Sequence, residues 1–246
     1  MARFPLAATK ATSKYSMTMA NTDRKPTEWY RERTEYLAEF MLPERFATMQ
    51  RVVANRTRYM TVCAENTFHP QNASALVRHC EAFGVQELHA IEFLCGFQAN
   101  LHIVRGTDKW VDIQRYGSTT EAVEHLKKEG YRIVAATPHT DDTTPDNFDV
   151  TAGPFCLVFG TEKQGISEEI MAVADQFVKI PMYGFVESLN VSACAAILIQ
   201  QLVERLHRGD VDWHLSENEQ AELLYRWARE SVKDDELILR TKFESY

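Results

Sequence analysis

Residues 179 to 197 read KIPMYGFVESLNVSACAAI, and this stretch decides the fold. A run rich in strand formers enters it from Asp175, Pro181 stops strand pairing because it has no N–H to give, and a loop holding Gly184 follows. Ser188, Asn190 and Ser192 then open a helix, since short polar side chains can accept from its first unpaired backbone amides. Ala193, Cys194, Ala195 and Ala196 continue that helix with small side chains that let another backbone come close. Strand, loop and capped helix in that order are one unit of a parallel α/β sheet.

The same alternation extends from about Tyr59 to Gly209. MTVCAEN (60–66), ELHAIEFL (87–94), YRIVAAT (131–137), PFCLVFG (154–160) and DQFVKIPM (175–182) predict five strands with helices between them. Ser118 to Glu121 reads as a capping box whose helix closes at Gly130, and a long helix starts near Asn190 and stops before Gly209. A second capping box, Ser216 to Glu219, opens an amphipathic helix with Leu223, Leu224 and Trp227 on one side. Upstream, TEWYRERTEYLAEFM and PERFATMQRVVANR predict two more helices. The expected organisation is a flexible basic tail (1–26), a helical extension (27–58), an α/β domain (59–209) and a second helical extension (210–246).

Composition narrows the function. The apolar runs fall far short of the roughly 20 residues that a membrane-spanning helix needs, and the predicted protein is soluble, without a membrane partner. Five scattered cysteines, Cys63, Cys80, Cys95, Cys156 and Cys194, suit a reducing cytoplasm, and no His or Cys spacing asks for a metal. A net charge of −8 argues against indiscriminate binding to nucleic acid, but the charge is uneven. Residues 44 to 58 carry Arg45, Arg51, Arg56 and Arg58 against Glu44 alone, whereas ten carboxylates face five basic residues from Asp210 onward. The four arginines are candidate RNA contacts; a solvated helix face explains each of them singly just as well.

Two further segments stand out. In HPQNASALVRHCEAFGV (69–85), Asn72 sits where a strand turns into a helix and Arg78 lies on that helix; alone, these read equally as a cap and a solvated arginine. In LVFGTEKQGIS (157–167), a strand ends in Gly160 and runs into a tight turn with Glu162 and Gly165. Glycine at a strand's carboxyl end lets a ligand approach the backbone. The turn is neither a P-loop nor a dinucleotide fingerprint, which excludes an ordinary nucleotide-binding α/β protein.

NASALVR, LVFGTEKQGI and IPMYGFVESLNVSACAAI, in this order and spacing, resemble the three motifs of the SpoU/TrmH family of RNA 2'-O-methyltransferases. The terminal helices, including WHLSENEQAELLYRWARES, resemble those of its tRNA-specific subgroup. The resemblance implies a SPOUT-type α/β fold, mostly parallel, with a deep C-terminal trefoil knot. It implies S-adenosylmethionine as cofactor, tRNA as partner with guanosine 18 of the D-loop as target, and a homodimer. Ribosomal RNA is the alternative substrate, and a non-catalytic RNA-binding homologue the alternative of another class.

By the same resemblance, the cofactor contacts Thr137, Pro138, His139, Gly160, Ile180, Met182, Gly184 and Leu189. Arg78 acts as catalytic base or activator, Glu162 and Asn190 orient it, Ser188 organises the loop, and Asn72 stands beside the substrate. Freeing a guanidinium of its proton near neutrality costs on the order of 7 kcal/mol. A charged arginine that clamps phosphate and steadies a developing oxyanion is therefore the physically preferred role.

Overall fold

Strands with an unbroken apolar run suit a parallel sheet covered on both faces, where no residue needs to meet water. The computed structural model describes residues 24–67, 69–98, 106–140, 143–161 and 164–244. In chain order, α1 (Thr27–Ala38) and α2 (Pro43–Val53) precede β1 (Met60–Glu65), α3 (Pro70–Ala82), β2 (Glu87–Ile91) and β3 (Asp112–Tyr116). Then come α4 (Thr119–Lys128), β4 (Arg132–Ala136), β5 (Phe155–Phe159), α5 (Glu168–Val173) and β6 (Gln176–Val178). The chain ends in α6 (Val191–Arg208), α7 (Glu217–Ser231) and α8 (Asp235–Phe243). Among the described residues, no helix is long and apolar enough to cross a membrane.

The six strands pair in parallel in the order β3-β2-β1-β5-β4-β6. On one face, α3 and α6 bury Leu76, Val77, Leu198 and Leu202 against Met60, Val62, Phe155 and Leu157. On the other, α4 and α5 bury Leu126 and Ile170 against Cys63, Ile133, Cys156 and Val158. Each such aliphatic side chain contributes roughly 1.5–3 kcal/mol when fully removed from water. Because α3 and α6 cover the same face, the helices that carry the first motif and the end of the third lie side by side.

The expected strands form, with three differences. β3 was not predicted: DIQRY has no apolar run, and it is held as an edge strand by its ladder to β2 and by the buried carboxylate of Asp112. β2 stops at Ile91, and the Leu94 N–H instead donates to Asn66 Oδ1 at 2.8 Å. β6 stops at Val178, which forms a parallel bridge with Thr143, and the Lys179 N–H donates to the Thr143 carbonyl at 2.9 Å. Both capping motifs cap. At Ser118, however, the Glu121 carboxylate accepts from Gly117 N–H, one residue earlier than a reciprocal box requires.

The terminal helices form one cap, not two separate flanks. Leu37 of α1 packs with Ala228 of α7 and Leu239 of α8, while Met49 and Val53 of α2 pack with Leu223 and Trp227 of α7. An ion network fastens this cap to the sheet edge. Asp112 of β3 accepts from Arg226 of α7 at 2.9 and 3.2 Å and from Arg58 at 2.6 Å; Arg58 also reaches Glu87 at 3.4 Å and Glu219 at 3.3 Å.

Burial raises the Asp112 carboxyl, but Arg226 and Arg58 outweigh it, and the folded value lies below the ordinary one. This group therefore stabilises the fold fully above its unfolded value of about 3.9, and the contribution is lost as pH falls toward the lowered folded value. Asp112→Ala takes this carboxylate from Arg226 and leaves Arg58 with Glu87 and Glu219, and urea unfolding at pH 7 is expected to show a loss of about 3–5 kcal/mol. Below about pH 4 the gap between variant and parent should narrow; a gap that does not depend on pH would contradict the assignment.

Candidate functional site

Parallel strands all end on one side of the sheet, so the loops after β1, β5, β4 and β6 emerge as neighbours. Pro70 takes the first helical position of α3, with His69 before it, so Asn72 lies inside the first turn and is not the cap. Its own N–H donates to the His69 carbonyl at 2.9 Å, and its side chain is buried. Asn190 is the cap of α6. Its Oδ1 accepts from the Ser192 N–H at 2.9 Å and the Ser192 hydroxyl at 2.6 Å, which leaves Nδ2 to donate to Asn72 Oδ1 at 3.5 Å. The first and third motifs, 118 residues apart at this contact, therefore meet through two amides.

Arg78 is exposed on the same helix as Asn72. Next to it, burial pulls the His79 imidazole below its ordinary value, partly opposed by a hydrogen bond to the Ser192 backbone and reinforced by the Arg78 charge. A neutral His79 thus ties α3 to the first turn of α6 a second time, two turns beyond Asn72.

Between the ends of β4 and β6 lies an open cleft. Of the residues expected to hold a cofactor, Thr137, Pro138, Ile180, Met182 and Leu189 line it, together with Ser188. Thr137 is buried, and its hydroxyl oxygen accepts from the His139 N–H at 3.3 Å, which shapes the turn without placing His139 in the wall. Ala136, Val178, Lys179 and Cys194, which sequence reasoning did not count as cofactor contacts, also line the cleft, as does Glu187 within the expected run from Ile180 to Leu189. The signal that could have found the first three is position: they stand at the carboxyl ends of β4 and β6. Burial pushes the Cys194 thiol up to about 11, so it is an uncharged part of the wall.

Gly160 and Gly184 lie outside this lining. At Gly160 the structure gives a reason within the chain: a Cβ there would overlap the carbonyl of Gly165, whose oxygen accepts from the Thr161 N–H at 2.9 Å. Gly184 is exposed with open space around it. Glu162 lies outside the described residues.

The four candidate RNA arginines divide. Arg45 and Arg51 are exposed on α2. Arg56 and Arg58 follow the helix, and the structure corrects their assignment. Arg56 is 0% exposed, with Glu81 at 3.4 Å and the Trp227 ring at 5.4 Å, and Arg58 is taken up by the Asp112 network. Neither presents its charge to a partner.

The chain is similar to known proteins in sequence and in fold. The SpoU rRNA methylase family model matches residues 59–200. The chain is 34% identical over 207 residues to the tRNA (guanosine(18)-2'-O)-methyltransferase of Borreliella burgdorferi, covering 84% of this chain and 94% of that protein. The crystal structure of the A. aeolicus TrmH/SpoU tRNA modifying enzyme matches with a TM-score of 0.68 at 33% identity, over 78% of this chain and 98% of that one. The SpoU methyltransferase AviRb of Streptomyces viridochromogenes, solved in complex with the cofactor AdoMet, matches with a TM-score of 0.54 at 25% identity, over 64% of each chain.

Asn190→Ala removes the α6 cap and the amide that reaches Asn72; urea unfolding should show a loss of about 1–2 kcal/mol. Asn190→Asp keeps the capping oxygen and is expected to lose clearly less. Equal losses would show that the cap is not what this residue supplies.

Proposed function

The chain belongs to the SpoU methylase family, and on that premise we propose that it methylates the 2'-hydroxyl of guanosine 18 in the D-loop of tRNA, using S-adenosylmethionine. The observation that carries this reading is the convergence of the first and third motifs, through Asn72 and Asn190, beside the cleft at the ends of β4 and β6. The relatives named as tRNA (guanosine(18)-2'-O)-methyltransferases match over most of their length, which favours tRNA over ribosomal RNA. The order β1-β5-β4-β6, with α6 returning beside α3, supports the family's trefoil knot. Tyr183, Phe185 and Val186, exposed on the loop before α6, support a homodimer.

The cleft suits the cofactor chemically. Val178, Ile180, Met182 and Leu189 offer an apolar bed for a purine, and Thr137 and Pro138 present backbone groups at a strand end. Bound S-adenosylmethionine supplies an electrophilic methyl group. The chain's own task is to align a ribose 2'-oxygen with that group and ease loss of its proton. Arg78, charged, clamps the adjoining phosphate and steadies the oxygen as its negative charge develops. Asn72, Asn190 and His79 keep α3 in register with α6, so that the arginine and the cleft hold one relative position; Ser188 organises the loop between them. Arg45 and Arg51 extend the contact to the RNA backbone.

Incubation with labelled S-adenosylmethionine and an unmodified tRNA transcript, followed by mapping of the methylated ribose, tests the reading. Transfer confined to ribosomal RNA would overturn the substrate. Arg78→Ala is expected to lower transfer at least about 10²-fold while leaving cofactor affinity within about threefold of the parent, which calorimetry can measure. Loss of cofactor binding would contradict the role given to this residue.

A further inference from the structure

The walls of the cleft are nearly all uncharged. Ala136, Ile180, Met182 and Leu189 are apolar, and the Cys194 thiol is held protonated by burial. Two charged side chains break the pattern, Lys179 and Glu187, and Glu187 is the single lining carboxylate among the described residues. It stands on the loop between β6 and α6, directly before Ser188, and is exposed.

The cofactor and its spent product share the same purine, ribose, carboxylate and ammonium. They differ by one methyl group and one charge: a sulfonium before transfer, a neutral thioether after it. Apolar walls discriminate a single methyl weakly, whereas a fixed negative charge distinguishes a cation from a neutral sulfur at several ångström. Lys179 supplies a cation of the kind that suits the carboxylate common to both forms. Resting on the methyltransferase reading above, we infer that Glu187 is the residue by which this cleft tells fresh cofactor from spent product. Its carboxylate stabilises the sulfonium form, and the attraction disappears when the methyl leaves, so the product is held less tightly and is exchanged. The residue acts on ligand charge and takes no part in the transfer itself.

Calorimetric titration of the full-length protein and its Glu187→Gln variant with three ligands tests this. S-adenosylmethionine carries a sulfonium, sinefungin an ammonium near the same position, and S-adenosylhomocysteine neither. For a partly solvated charge pair, the variant should bind the first two roughly three- to tenfold more weakly. Its affinity for the neutral product should stay within about 1.5-fold of the parent, which also serves as the control for an intact pocket. Equal weakening of all three would place Glu187 on the shared ammonium and overturn the inference, as would no weakening of any. Parent protein that binds none of the three would overturn the methyltransferase reading itself, and would be recognised by failure before any variant is compared.

Discussion

In a parallel sheet every strand must leave on the same side, and that constraint assembles this site. Motifs far apart in sequence follow β1, β5 and β6, and the order β1-β5-β4-β6 makes their exits neighbours. Parallel pairing requires helical crossovers, and two of the resulting helices, α3 and α6, share one face of the sheet. Their first turns can then touch, so Asn190 is able both to cap its own helix and to reach Asn72. Open α/β sheets usually bind ligands where the strand order reverses, which here lies between β1 and β5. The cleft instead sits two strands over, at the ends of β4 and β6.

A second consequence concerns charge. The basic stretch from Arg45 to Arg58 is continuous in sequence and divided in space. Arg58 and Arg226 meet on Asp112, buried between sheet and helical cap, where losing one partner costs more than the pair contributes at a surface. Part of the chain's acidic excess is thus spent internally, on holding the cap in place. Arg45 and Arg51 remain outward and carry their charge to solvent.

Much of this was legible before any coordinates. The strands with unbroken apolar runs, β1, β4 and β5, and the helices opened by Ser118, Asn190 and Ser216 carry their signals locally, in pattern and in caps. β3 does not, because DIQRY is held by a ladder and an ion network supplied from elsewhere in the chain. Arg56 illustrates the same limit: nothing in its neighbours tells a buried arginine under Trp227 from a solvated one. Thr137, Ile180 and Leu189 were readable through the motif resemblance, but the lining positions Val178 and Cys194 follow from where strand and helix ends fall in space. Sequence reasoning singled out Gly160 as a glycine that lets a ligand approach the backbone. The atom that demands it is the Gly165 carbonyl, which only the folded turn reveals.

The central claim is that the cofactor lies in the cleft bounded by Ala136 to Pro138 and Ile180 to Leu189, beside the Asn72–Asn190 contact. Crystals grown with S-adenosylhomocysteine measure this directly. Its purine is expected between those two segments. Density for it over the β1–β5 switch point, or on the helical cap, would contradict the account.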